Sequence, residues 1–185
     1  STKGHALFLP GCGADVQAEG ALSMRISDVE NFGSLLASAA EKALEKGRAV
    51  SLAPFKGRRL SPTVKFTYVP ETASPLVSKA DGNTMTLGER KFEANHRLWL
   101  KNLAAGRLPR SGRFPMQILR IGDLLFAGLA AEVFHDTGAD LSRALRNRDR
   151  TLVVSHCGGN VGYLPRPFSY RHGTYESSNA HEWYG

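Results

Sequence analysis

Cysteine is scarce in this 185-residue chain: Cys12 and Cys157 are the only two, and no CxxC pair occurs. A disulfide scaffold and a thiolate-rich structural zinc site are thereby excluded, and two free thiols are expected. Long apolar runs are missing as well. The longest, residues 124–131, is interrupted by Gly128 and falls far short of the ~20 apolar residues that cross a bilayer, so it reads as a buried strand. Also absent are GxSxG, HExxH, GxGxxG and the P-loop, which argues against common serine hydrolases, gluzincins, dinucleotide oxidoreductases and nucleoside triphosphatases. The opening, Ser1-Thr2-Lys3-Gly4-His5, shows no basic stretch followed by a hydrophobic segment and reads as a start inside a fold. The expectation is a soluble protein, secreted or periplasmic where a signal peptide precedes this segment.

With 42% hydrophobic and 22% charged residues, the composition suits one domain, or a half-domain, over residues 1–185. Lys and Arg number 24 against 17 Asp and Glu, a net charge of +7, and such a field draws anionic partners over a long, salt-screened range. The basic residues nevertheless look scattered, with local density only at 56–59, 107–113 and 143–150. No interleaved exposed aromatics and no nucleic-acid motif accompany them, so the expectation is a solvated surface and no nucleic-acid partner.

Periodicity supplies the coarse fold. A short apolar run, residues 6–9, stops at Pro10 and enters Gly11-Cys12-Gly13-Ala14-Asp15, the pattern of a buried strand feeding a glycine loop. Asp28 can cap a helix whose apolar residues Val29, Phe32, Leu36, Ala39, Ala43 and Leu44 recur at three and four, with Gly47 ending it. A strand is expected over 49–53, and the four prolines between 54 and 83 predict extended segments and surface loop. Thr86 and Glu89 form a capping box for a second helix through Trp99 and Leu103 to Gly106, followed by a basic loop over 107–113. Residues 116–121 and 124–129 read as a hairpin turning at Gly122-Asp123. Glu132 is expected to open a third helix with Phe134, Thr137, Leu141 and Leu145 on one face, and 151–155 to form a last strand running into Cys157-Gly158-Gly159-Asn160. Alternating helices and strands with one hairpin predict an α/β fold with a mixed sheet and helices packed on it.

Polar or glycine-rich elements that directly follow buried strands are the places to look for chemistry, because strand ends converge on one rim. Three qualify: residues 11–15, Glu132, and residues 156–163. Glu132 is either a metal or acid-base carboxylate or a first-turn acid favoured by the helix dipole. Glu132 and His135 are spaced i, i+3, so both could reach one metal ion from a single helix face, although a surface or packed histidine gives the same spacing. His156 could be a ligand or proton carrier; a buried, hydrogen-bonded histidine is the simpler expectation.

A resemblance extends this reading. The segment Met116-Gln-Ile-Leu-Arg-Ile-Gly-Asp-Leu-Leu-Phe-Ala-Gly-Leu-Ala-Ala-Glu132 is similar to the stretch leading to the zinc-binding glutamate of the neutral and alkaline non-lysosomal ceramidases, with Ala130-Ala131-Glu132 standing for the usual Pro-Gly-Glu. Gly162-Tyr163-Leu-Pro-Arg-Pro-Phe-Ser-Tyr170-Arg-His-Gly-Thr-Tyr175-Glu176 resembles the family block in which one tyrosine binds zinc and a second, twelve positions on, contacts the substrate amide. Phe8-Leu-Pro-Gly11-Cys12-Gly13-Ala14-Asp15 is similar to the family's strand and loop, with Gly11 where the nucleophilic serine stands. The likeness spans residues 8–184, with 54–113 carrying little of it, and covers only the later part of that catalytic domain.

The resemblance implies a zinc-dependent hydrolase of an amide bond in an N-acylated, ceramide-like lipid. It makes Glu132 and Tyr163 metal ligands and Tyr175 the catalytic residue at the substrate amide, with Cys12 able to take part of the missing serine's role. The two histidine ligands and an arginine belong to the preceding region, so zinc would bind only when an upstream segment or a second chain completes the site. With glycine at position 11, attack by activated water is expected in place of a covalent acyl-enzyme. The alternative expectation is an inactive relative that serves as a lipid- or surface-binding module through its basic loops.

Overall fold

The computed structural model describes residues 7–18, 25–66, 87–145, 150–172 and 174–179. It is a mixed α/β fold. A four-stranded sheet runs in the order β1 (Phe55–Leu60), β4 (Met116–Ile121), β5 (Leu124–Leu129), β7 (Thr151–Val154). The first three are antiparallel and β7 lies parallel to β5, with α3 (His135–Ala144) between them in sequence and packed against β7. Two small ribbons flank it: antiparallel β2 (Thr63–Lys65) with β3 (Ser111–Arg113), and parallel β6 (Glu132–Val133) with β8 (Tyr163–Leu164). Helices α1 (Ile26–Glu45), α2 (Leu87–Ala104), α4 (Pro167–His172) and α5 (Tyr175–Asn179) complete the order. None of the described helices is long and apolar enough to cross a membrane.

The hairpin forms with the bounds that the apolar runs predict. Gly122 takes φ +57°, a conformation that costs glycine little, and its N–H donates to the Pro54 carbonyl at 2.9 Å. A Cβ at that position would run into the Ser51 carbonyl, so the turn is closed to larger residues. Arg150 ties the neighbouring Asp123 to the end of the α3–β7 connection through an ion pair.

The core gathers where β5 ends. Phe114, Leu129, Ala131 and Val133 form its centre, with Val64, Met116, Leu141, Val153, Val161 and Leu164 packed around them. Phe134, 1% exposed, leans on Phe168 of α4 at 6.2 Å between ring centroids. By contrast no residue of α1 is buried, and its apolar stripe faces outward: Val29 is 69% and Leu36 57% exposed.

Several local expectations are corrected. Asp28 is not the cap of α1. The cap is Arg25, in extended conformation, and Asp28 sits in the first turn, held by the Arg25 guanidinium at 3.0 Å. Residues 49–53 form no strand, because the Ser51 hydroxyl donates to the Ala53 carbonyl at 3.0 Å and accepts from its N–H at 3.2 Å, offering the backbone a local alternative to a ladder. Two of the extended segments expected after Pro54 are strands, β1 and β2, and the remainder beyond Phe66 lies outside the described residues, as does the Thr86 cap. The basic stretch 107–113 ends as β3 because its last three residues pair with Thr63–Lys65. Glu132 does not open a helix: it belongs to β6, and α3 begins three residues later.

Candidate functional site

Beyond Leu129 the chain leaves the sheet through Ala130 and Ala131, both fully buried, and pairs again as β6. The loop after β7 wraps this crossing. The carbonyls of Leu129, Ala130 and Ala131 accept from Cys157 N–H at 2.8 Å, Val161 N–H at 2.7 Å and His156 N–H at 3.1 Å. His156 has φ +54°, unusual for a residue with a side chain, and a set of backbone bonds on both sides fixes it there. The expected buried histidine is thus a correction: its side chain is exposed, because the left-handed turn points it out of the packed crossing. Gly162, with φ +80°, then returns the chain so that its carbonyl accepts from Glu132 N–H at 2.8 Å.

These bonds bring Glu132 and Tyr163 side by side as register partners in the parallel β6–β8 pair. Parallel partners project to the same face, so a carboxylate and a phenol 31 positions apart in sequence meet at one edge of the fold. The Tyr163 phenol lies beside the Glu132 carboxylate, whose hydrogen bonding and charge both bear on it. Tyr175, at the start of α5, stands edge-on to Tyr163 with ring centroids 5.9 Å apart and planes at 79°, and is itself 61% exposed. Asn160 lies against the same carboxylate, its Nδ2 3.5 Å from Glu132 Oε1, while its Oδ1 accepts from Gly162 N–H at 2.9 Å.

The electrostatics of this cluster are one-sided. Burial first, then the hydrogen bond and charge of Glu132, then the charges of Tyr175 and Glu176, push the Tyr163 phenol up to about 12. The phenol is therefore held protonated, beside Glu132, in a setting where negative groups outnumber positive ones. Two oxygen donors side by side, with a second carboxylate near them, are the donor chemistry of a hard or borderline cation. Two such donors fall short of a tetrahedral set, and among the described residues no group of three or more His, Cys, Asp and Glu side chains could hold a metal ion.

The remaining candidates stand apart from this pair. His135 is the first residue of α3, and its backbone N–H donates to Asp15 Oδ1 at 2.7 Å, so Asp15 caps the helix from the glycine loop. Its imidazole is exposed beside Asp136, and with Glu132 on a strand the two do not share a helix face, which corrects that expectation. Cys12 packs into the core, against α3 at Gly138, where an added Cβ would lie 2.6 Å from its sulfur. Burial pushes its thiol pKa up, the Ser155 hydroxyl opposes the shift and the Asp15 charge adds to it, so the environment favours thiol over thiolate. Gly11, next to it, has open space where a Cβ would stand. Tyr170 is half-buried in α4, and burial pushes its phenol up too.

Asn160 is the residue that periodicity and motif reading left without a role. Its only advance signal is position, at the end of a glycine turn that follows a buried strand. No protein-family model, no curated protein and no solved structure matches this chain.

Proposed function

We propose that this chain carries the later half of the active site of a zinc-dependent amide hydrolase of the neutral ceramidase type, acting on an N-acylated lipid-like substrate. The observation that carries the reading is the parallel bridge between Glu132 and Tyr163, which sets a carboxylate and a phenol side by side with Tyr175 edge-on to the phenol. Glu132 and Tyr163 would hold the metal, and ligands from an upstream segment of the same polypeptide or from a partner chain would complete the set. Zinc, when bound, supplies Lewis acidity to the amide carbonyl and to water.

The chain's own residues have separable tasks. Glu132 holds the neighbouring Tyr163 phenol in its protonated form, and phenolate is the form in which Tyr163 would serve as an oxygen ligand. Asn160 steadies the carboxylate and is itself fixed through Gly162. Tyr175 is largely exposed and edge-on to Tyr163, and in this reading its Oη would donate to a substrate oxygen as charge develops there, a contribution worth ~3 kcal/mol where such donors have been removed from oxyanion sites. Gly11 brings no hydroxyl and the Cys12 thiol is held protonated, so neither position supplies a nucleophile to compete with water.

Zinc analysis of the protein extended by its upstream region tests this. Stoichiometric zinc, lost together with hydrolysis of a short-chain N-acyl substrate in Glu132→Gln, is the expected result. Zinc content well below one per chain with Glu132 and Tyr163 intact would end the proposal.

A further inference from the structure

The topology reverses the impression that basic residues are scattered. Residues 46–66 contain Lys46, Arg48, Lys56, Arg58, Arg59 and Lys65 and no acid; residues 94–122 contain Arg97, Lys101, Arg107, Arg110, Arg113 and Arg120 and no acid. At the chain's overall frequency these two stretches would hold about five acidic residues. The fold pairs them with each other, β1 with β4 and β2 with β3, and these four strands carry Lys56, Arg58, Arg59, Lys65, Arg113 and Arg120 with no acid among them. All twelve basic residues of the two stretches are exposed.

Register sharpens the point. Lys56 lies directly across from Arg120, a like-charge pair that weakens a sheet, and Arg58 follows on the same face. Among the described residues Lys56, Arg58, Arg59, Lys65 and Arg110 form no ion pair. An edge strand such as β1 is protected from aggregation by charge of either sign, so edge protection alone does not require that every acid be missing from four strands and a helix end. An external anionic partner accounts for it.

Apolar groups decide what kind. Leu52, Phe55 and Leu98 are exposed within the same stretches, Phe55 by 70%. A cavity of about 560 Å³ opens between the two stretches, where Phe66, Leu103 and Leu108 adjoin Lys65, Arg110 and Ser111. Cations beside exposed apolar side chains match an interface of charged headgroups over hydrocarbon, with Phe55 as an apolar anchor, whereas single-stranded nucleic acid would call for a series of aromatics on which successive bases stack. We infer that the face built from β1–β2 and β3–β4 docks on an anionic lipid bilayer. This docking is independent of amide hydrolysis, since vesicles of plain phospholipid report it without any substrate.

Flotation of the whole chain with phosphatidylcholine vesicles, with and without about one-third phosphatidylglycerol, tests the inference. The expected result is at least tenfold tighter binding to the anionic vesicles, falling as salt rises to about 0.5 M. The Arg58→Ala, Arg59→Ala pair should weaken it by at least tenfold, about fivefold per cation, and Lys65→Ala with Arg110→Ala should do the same from the second ribbon. Two pairs on different ribbons separate lost binding from lost folding, which circular dichroism checks. Equal binding to neutral vesicles, an equal loss from Lys42→Ala with Arg171→Ala outside the face, or tighter binding to a short oligonucleotide than to the anionic vesicles would each overturn it.

Discussion

The two helices whose apolar spacing is plainest have opposite fates. Helix α3 is half the length of α1, yet it covers β7, takes Asp15 as its cap and seats Phe134 in the core. Helix α1 has a 20-residue amphipathic pattern and buries nothing; among the described side chains none before Trp99 is buried. Amphipathic spacing therefore specifies a helix and a sticky stripe, while the partner of that stripe is a matter of topology. The segment from Phe114 to α5 supplies most of the core, whereas α1 presents its stripe to the surface.

That contrast can be broken by mutation. Phe134→Ala should cost ~3–5 kcal/mol in urea unfolding, because it empties a fully enclosed site, whereas Phe32→Ala on α1 should cost under ~1 kcal/mol in this chain. Equal losses would mean that α1 is packed after all. Gly122→Ala should cost ~1–3 kcal/mol, since alanine resists φ +57° and meets the Ser51 carbonyl, and the loss should appear as a lower urea midpoint with an unchanged slope.

A spectroscopic test sharpens the same comparison at the site. One tyrosine, Tyr163, should ionise near pH 12 by ultraviolet absorbance, and Glu132→Gln should bring it down, because it removes a charge and weakens an acceptor. The folded phenol titrates above the ordinary value near 10, so its contribution to stability is complete below pH 10 and is lost as pH rises toward 12. Arg25→Ala comes last: an exposed pair in the first turn of α1 should change stability by no more than ~0.5 kcal/mol.

Where the determinants are local, the sequence reads well. The hairpin bounds follow from two apolar runs and one glycine, and α1 spans close to its predicted length. The misreadings come from interactions that cross the chain or compete within it. Ser51 diverts residues 49–53 from strand geometry by bonding Ala53, and Glu132 becomes strand because Gly162 and Tyr163, some thirty residues on, supply its partner. For the site, Glu132, Tyr163 and Tyr175 were singled out by resemblance and by spacing, and their contact is tertiary. Neither Asn160 against Glu132 nor the exposure of His156 was legible, since both depend on left-handed turns in the loop between them. The convergence of basic residues was hidden for the same reason: two acid-free stretches are far apart in sequence and adjacent only through β1–β4 and β2–β3 pairing.

The parallel bridge at Glu132 has a consequence for how this protein can vary. Eight residues, 155–162, measure the path from β7 to Tyr163, and side chains alternate faces with every step along a strand. Lengthening or shortening that path by one would swing the phenol to the far side of the ribbon while leaving every atom of its chemistry intact. The loop is thus constrained in its count of residues as well as in the glycines and Asn160 that shape it.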